Sequence, residues 1–261
     1  MNLFSSKSTL LCLGLLALCV RSVGYAQTVE SLPLHRISYA ATFKSIPIGS
    51  VTLQLSFDGT HYHYQTLANP VWLARVVVSQ STRESSEFAL ATDGVRALDY
   101  SLSDPEKPKQ GTQYHYDWDH QIVKGNHDNE PFSLPLATPT YDPLSIRAQL
   151  LFDFARGKSA MRYSMLDGRE VKTFVYQKAS TETVHTSLGD IKTVRWDSSR
   201  EHASPSDRQW RYWLAPDFGF LPVEIEQVQD GKSRLKFTVT ALEWTDPKTQ
   251  KSQVLGNVTP R

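Results

Sequence analysis

Hydrophobic and polar residues alternate along most of the chain with a period of two. One such run places apolar side chains at Val51, Leu53, Leu55 and Phe57. Asp-Gly pairs, which favour tight hairpin turns, occur at 58–59, 93–94, 167–168 and 230–231, and Leu188-Gly189 lies in a similar setting. Because successive side chains of a strand point to opposite faces, the pattern predicts antiparallel strands joined by short turns.

One segment departs from this alternation and predicts a helix. Asp142 and Pro143 suit the first positions of a helix, and Gly157 suits the left-handed residue that follows its end at Arg156. At 100° per residue, the apolar side chains cover about 240° of its circumference, against ~100° for a surface helix. The polar remainder is limited to Ser145, Gln149, Asp153 and Arg156.

A helix with so wide an apolar surface needs cover on most sides. We therefore predict a mainly β fold in which a curved antiparallel sheet, or half-open barrel, is wrapped around one buried α-helix. The alternative is a helix held between a sheet and a long loop. Arg147 lies within the apolar arc. It either pairs with a buried carboxylate or covers apolar surface with its stem while its head reaches water.

The first 26 residues have the features of a secretory signal peptide. Lys7 precedes an apolar run, Leu10 to Val20, that is too short to anchor the chain in a bilayer, and Gly24 and Ala26 suit cleavage after Ala26. Neither cysteine follows a small residue, so the sequence does not predict a lipoprotein. We expect an exported, periplasmic protein without a transmembrane segment after cleavage.

Composition narrows the classes of function. Both cysteines, Cys12 and Cys19, lie in the predicted signal peptide, which excludes disulfides and cysteine-based metal or redox chemistry from the mature chain. Removing residues 1–26 leaves 26 basic against 27 acidic residues, and this balance does not favour nucleic-acid binding. We expect a single β-rich domain over residues 27–245 and a polar, flexible tail over residues 246–261.

Several segments resemble a known family. They are Tyr141-Asp-Pro-Leu144, Asp167-Gly-Arg169, Thr186-Ser-Leu-Gly-Asp-Ile-Lys-Thr193 and Tyr212-Trp-Leu-Ala-Pro-Asp-Phe-Gly-Phe-Leu-Pro-Val223. Together they resemble the bacterial domain-of-unknown-function 3108 family of exported proteins, from about Ile37 to Trp244. The resemblance implies an envelope protein and implies no activity. The predicted fold is also similar to that of the lipoprotein carriers of the periplasm.

Two histidines could share a metal ion. His61 and His63 lie two residues apart on a predicted strand, so both imidazoles point to the same face. A third ligand would have to come from His115, His120 or His127. Because two ligands are too few for a site, we predict neither a metal nor any other cofactor.

Aromatic faces could line a groove for an apolar ligand. The predicted groove residues are Trp72, Leu144, Ala148, Leu151, Tyr114, Tyr116, Trp210 and Tyr212. The competing interpretation is that these side chains fill an ordinary core or form a ladder across strands.

The sequence contains no catalytic motif such as Gly-x-Ser-x-Gly or His-Glu-x-x-His. Glu224 and Glu226 share one strand face, and we expect both to be solvated. We favour a non-catalytic binding or carrier module for an apolar small molecule such as a lipid or acyl chain. The alternatives are an envelope scaffold that binds another protein, and a hydrolase or lyase acting on an envelope polymer.

Overall fold

The protein consists largely of β-strands, together with one α-helix in the part of the chain that the structure describes. This structure, a computed structural model, describes residues 31–70, 82–105, 111–136, 139–204, 206–247 and 249–256. The strands of the first half are β1 (His35–Phe43), β2 (Ile46–Phe57), β3 (Tyr62–Pro70), β4 (Arg83–Ala91), β5 (Gly94–Ser103), β6 (Thr112–Asp117), β7 (Ile122–His127), β8 (Glu130–Pro135) and β9 (Thr140–Tyr141).

Helix α1 (Ser145–Ala155) separates the two halves of the sheet in sequence. The strands that follow it are β10 (Ala160–Asp167), β11 (Glu170–Thr186), β12 (Gly189–Arg200), β13 (Gln209–Ala215), β14 (Leu221–Gln229), β15 (Lys232–Thr245) and β16 (Ser252–Leu255). A 3-10 turn, Pro216–Phe218, connects β13 with β14. Within the described ranges, no helix has both the length and the hydrophobicity that a membrane span requires.

All the strands of the described ranges belong to one sheet, in the order β8-β7-β6-β5-β4-β3-β2-β1-β15-β14-β13-β12-β11-β10-β9, with β16 added beside β15. Every pair is antiparallel except β9 with β10. The predicted turns at the four Asp-Gly pairs and at Leu188-Gly189 all connect neighbouring strands of the sheet. The prediction of an antiparallel meander is thereby confirmed.

The sheet curls until its two ends come close together. Strands β8 and β9 are the ends of the strand order, yet residues 135 and 140 can lie at most ~18 Å apart. Side chains bridge the gap: the Tyr114 hydroxyl donates to the Gly168 carbonyl oxygen at 3.0 Å, and Arg169 forms an ion pair with Glu130. The result is the predicted half-open barrel.

Helix α1 lies inside this curve and is enclosed on nearly all sides. The Asp142 carboxylate accepts the backbone N–H groups of Leu144 and Ser145 at 2.8 and 2.9 Å, so it caps the helix although the regular turns begin only at Ser145. Most of the predicted polar sector is buried as well, because Gln149 and Asp153 are at most 3% exposed, whereas Arg156 is exposed. The fold class, a curved sheet around one buried helix, is confirmed.

Four residues of the segment that we expected to be a flexible tail form β16. This strand pairs with the end of β15, at Leu242–Thr245, where β14 no longer reaches. Strand β14 therefore leaves one edge of the C-terminal end of β15 unpaired, and β16 pairs with that edge. The side chain of Val254 stays exposed, whereas Leu255 is partly buried against the core, so both backbone pairing and this apolar contact hold the strand.

Candidate functional site

The helix leaves part of the concave face of the sheet uncovered, and a pocket of about 260 Å³ lies there. Side chains from β13, β14, β15, β1, β2, β3 and β4 line it, and these seven strands are consecutive in the sheet order. Arg147 of α1 completes the lining. The pocket therefore lies where the sheet curves around the helix.

Most of the lining is apolar or aromatic. The apolar and aromatic side chains are those of Tyr39, Val51, Leu53, Ala68, Trp210, Tyr212, Ile225 and Phe237. The strand register explains why they form one surface. Val51 is paired with Ala68, and Ile225 is paired with both Tyr212 and Phe237, so these side chains are direct neighbours across the strands. Such a surface suits an apolar ligand.

Arg147 brings a cation into this apolar setting. The residue is half-buried, and no carboxylate oxygen of the described residues lies within 4.0 Å of its guanidinium nitrogens. Burial alone would lower its pKa, but Glu84 and three nearby tyrosines raise it, so the group remains protonated. The interpretation that Arg147 pairs with a buried carboxylate is therefore not met within the described residues, whereas its half-buried side chain in the pocket lining agrees with the interpretation in which the stem covers apolar surface.

Glu84 is the charged neighbour of Arg147 in the lining. Its Oε1 atom accepts a hydrogen bond of 2.8 Å from the Tyr100 hydroxyl. Burial raises the pKa of Tyr212, so this phenol is neutral near pH 7. In the described part of the lining, Arg147 and Glu84 are thus the two charged groups.

Thr66 adds an unsatisfied polar atom beside the pocket. Its hydroxyl is buried and has no hydrogen-bond partner among the described residues. The Tyr39 hydroxyl, in contrast, donates to the Pro222 carbonyl oxygen at 2.7 Å. Buried polar groups without a partner are uncommon in folded proteins, and they point to a missing partner such as water or a ligand.

The structure separates the predicted groove residues into three groups. Trp210 and Tyr212 line the pocket. Side chains in the packed core, each at most 5% exposed, are those of Leu144, Ala148, Leu151, Tyr114 and Tyr116. Trp72 lies outside the described residues. Sequence reasoning missed Tyr39, Val51 and Phe237 as pocket residues, although the alternation of polar and apolar residues had placed Val51 on an apolar strand face.

Each of the two histidines that could share a metal ion contacts a carboxylate of its own. His61 Nδ1 lies 2.7 Å from Glu87 Oε1, and His63 Nε2 lies 2.8 Å from Asp58 Oδ2. These contacts lie on the outer face of the sheet. No group of three or more metal-ligating side chains occurs within the described ranges. The three further histidines have other neighbours: His115 contacts Asp99, His120 contacts Asp117, and His127 contacts Thr112.

The contact between Thr112 and His127 has some of the geometry of a nucleophile and its base. Thr112 Oγ1 lies 2.8 Å from His127 Nδ1, and Asp128 Oδ2 lies 3.7 Å from His127 Nε2. Thr112 is only 5% exposed, and 3.7 Å exceeds a hydrogen bond. Thr112 and His127 are also paired across β6 and β7, so the strand register explains their contact.

The expectation that Glu224 is solvated is wrong. Glu224 is 7% exposed, and its Oε1 atom lies 2.9 Å from Lys236 Nζ of the neighbouring strand. Glu226 is partly buried and lies 3.3 Å from Arg211. Cross-strand cations, which the sequence alone could not place, satisfy both carboxylates.

Three larger grooves lie on the described part of the sheet, and the two largest have volumes of about 570 and 740 Å³. Their linings are mainly amide, hydroxyl and charged side chains, including Gln65, Ser85 and Ser101 in the two largest. Because these polar linings are poorly suited to an apolar ligand, the smaller concave pocket is the stronger candidate site.

Comparisons with known proteins agree with this description. The family DUF3108, described as a protein of unknown function, matches residues 38–240, which confirms the resemblance found in the sequence. A crystal structure of a beta-barrel-like protein of domain of unknown function DUF1849, from Brucella abortus, aligns with a TM-score of 0.53 and 10% identity. The alignment covers 82% of this chain and 98% of that chain.

A second solved structure, of a candidate lipoprotein from Parabacteroides distasonis, aligns with a TM-score of only 0.30 and 11% identity. That alignment covers 81% of this chain and 94% of the other, and it carries no argument. Among curated proteins, no sequence matches this chain. The comparisons thus show the family and a barrel-like fold, but no ligand or reaction.

Proposed function

We propose that this chain, which belongs to the DUF3108 family, is a non-catalytic binding or carrier protein for a small apolar molecule, such as a lipid or an acyl chain. The observation that carries this proposal is the concave pocket, which seven consecutive strands line with mainly apolar side chains. Its volume of about 260 Å³ equals roughly nine molecules of liquid water. A chain of about eight carbon atoms would therefore fit.

The setting that we propose is the bacterial periplasm. The predicted signal peptide lies outside the described residues. N-terminal sequencing of the exported protein is expected to start at Gln27. A protein that retains residues 1–26 would contradict this part of the proposal.

The scaffold alternative has less support from the sheet edges. Strand β8 is one end of the sheet and contains Pro131 and Pro135, which cannot donate backbone hydrogen bonds to an added strand. Strand β9, the other end, has only two residues. Neither edge is a favourable template for strand addition.

Calorimetric titration of the purified protein with octanol, a neutral eight-carbon chain, tests the proposal. We expect one saturable site in the unaltered protein. Ala68→Trp should abolish binding, because the added indole fills the pocket. Leu67→Trp is the matched control, since Leu67 is the adjacent residue of β3 and points away from the pocket. Val51→Phe provides a second filling variant if Ala68→Trp does not fold.

The absence of octanol binding, or equal binding by both tryptophan variants, would contradict the proposal. Circular dichroism of each variant shows whether the fold is retained before the titrations are compared.

A further inference from the structure

Helix α1 points a charged head group into a pocket that is otherwise mainly apolar. Arg147 is half-buried and lines this pocket, and no carboxylate oxygen of the described residues lies within 4.0 Å of its guanidinium nitrogens. Its nearest charged companion, Glu84, lies beyond 4.0 Å and already accepts the Tyr100 hydroxyl. A cation in such a position is costly unless an anion reaches it.

From this geometry we propose that the ligand is an amphiphile with a single carboxylate, whose two oxygens bind the Arg147 guanidinium while its alkyl chain contacts Val51 and Phe237. This inference rests on the proposed function and specifies the chemistry of the ligand. A guanidinium presents paired N–H donors whose spacing matches the two oxygens of a carboxylate.

The charges of the lining favour a monoanion. Arg147 carries one positive charge, and Glu84 contributes a negative charge to the same pocket. A phosphate monoester, with nearly two negative charges near pH 7, would be repelled more strongly by Glu84 than a carboxylate would. An ammonium group could approach Glu84 only beside the like charge of Arg147.

The unsatisfied hydroxyl of Thr66 lies in the same lining. It is paired with Glu84 in the register of β3 and β4, which places it at the charged side of the pocket. A ligand oxygen near Arg147 would offer this hydroxyl an acceptor. Two independent features, an unpaired cation and an unpaired donor, thus indicate an anionic oxygen ligand.

The experiment compares octanoate with octanol, because the two have the same chain length and differ at the head group. In the unaltered protein, octanoate should bind about ten- to hundredfold more tightly than octanol, the range expected for a charge-assisted hydrogen bond. Arg147→Met should remove this difference, so that octanoate no longer binds more tightly than octanol. Arg147→Lys should restore part of it, and Arg156→Met, at the residue that follows the helix and lies outside the pocket, should retain all of it.

Octyl phosphate and octylamine test the competing head groups. Octanol binding without any preference for octanoate would overturn the inference and leave the proposed function standing. A preference for octyl phosphate over octanoate, or for octylamine, would also overturn it. If octanol does not bind, the proposed function itself fails. If Arg147→Met does not fold, the comparison of octanoate with octanol in Arg147→Lys still gives the dependence on the guanidinium.

Discussion

Two charged side chains of helix α1, Asp153 and Arg147, face the protein interior in contrasting surroundings. Asp153 is fully buried, and its carboxylate accepts Gln149 Nε2 at 2.9 Å, contacts Lys158 Nζ at 2.7 Å and accepts the Tyr163 hydroxyl. Arg147 has no such partner among the described residues. The fold alone accounts for the first charge, whereas the second is the charge for which we propose an anionic ligand.

The largest expected effect follows from removing the paired charge. Asp153→Ala leaves Gln149 and Tyr163 without their acceptor, so the free energy of unfolding should fall by about 3 to 5 kcal/mol. Arg147→Met removes an unpaired charge and fills similar space, so stability should stay unchanged or rise by up to about 2 kcal/mol. Urea unfolding followed by tryptophan fluorescence measures both.

Asp153→Asn is the control for shape, since its side-chain oxygen can still accept from Gln149. It should lose less stability than Asp153→Ala. Equal losses for Asp153→Ala and Arg147→Met would show that Arg147 is a structural residue, and the contrast between the two charges would disappear.

Asp142, whose carboxylate caps helix α1, is a third charged group, and its ionisation should make the stability of the protein depend on pH. Burial raises the pKa of Asp142 to about 6, although hydrogen bonds from Ser145, Leu144 and Ser86 limit the rise. The ordinary value is 3.8. The folded state therefore binds this proton more tightly than the unfolded state, and the ionised form costs up to about 3 kcal/mol.

This cost is absent below pH 4, grows as the pH rises through the interval from about 4 to about 6, and is complete above it. The asparagine of Asp142→Asn cannot ionise. The free energy of unfolding of this variant should therefore rise relative to that of the unaltered protein between about pH 4 and about pH 6. Urea unfolding at several pH values gives the difference. A difference that does not vary with pH would show that the carboxyl group is not held in this way.

Gly94→Ala should have a smaller effect on stability, and it tests how Gln149 connects Asp153 with strand β5. A Cβ atom at this position would lie 2.4 Å from Gln149 Oε1, which accepts the Val95 N–H. We expect a loss of about 1 to 3 kcal/mol. Gly59→Ala is the matched control, because Gly59 also has a positive φ but nothing lies within 4 Å of the added atom. Equal losses would mean that backbone strain, and not Gln149, is responsible.

The smallest expected effect is a change in octanoate affinity, and it concerns the charge of Arg147. Glu84→Gln removes the anion that shares the pocket with Arg147, while the amide oxygen can still accept from Tyr100. Octanoate affinity should rise about two- to tenfold, and octanol affinity should not change. Calorimetry gives both values, and weaker octanoate binding in this variant would argue against pairing with Arg147.

The sequence predicted the enclosed helix and the turns because these depend on local patterns. The wide apolar surface of α1 and the Asp-Gly pairs are visible without any tertiary information. The pattern was less informative about the charged residues of the helix. Asp153 belonged to the predicted polar sector and is fully buried, whereas Arg147 belonged to the apolar arc and is only half-buried.

The reason is that the partners of a charge are set by tertiary packing, which neither the helix period nor the strand alternation encodes. Tyr163 and Lys158 reach Asp153 from the segment that follows the helix, and Lys236 reaches Glu224 from the neighbouring strand. The pocket is equally non-local, since seven strands must curve together to form it. Alternation can place Trp210 and Tyr212 on one face of a strand, but it cannot show whether that face is covered.

A crystal structure of the protein with octanoate that carries a terminal bromine tests the central claim most directly. We expect the anomalous bromine signal inside the concave pocket, near Val51 or Phe237, and the carboxylate within hydrogen-bond distance of the Arg147 guanidinium. A bromine signal confined to other surfaces, with the pocket empty or filled only by water, would contradict the account.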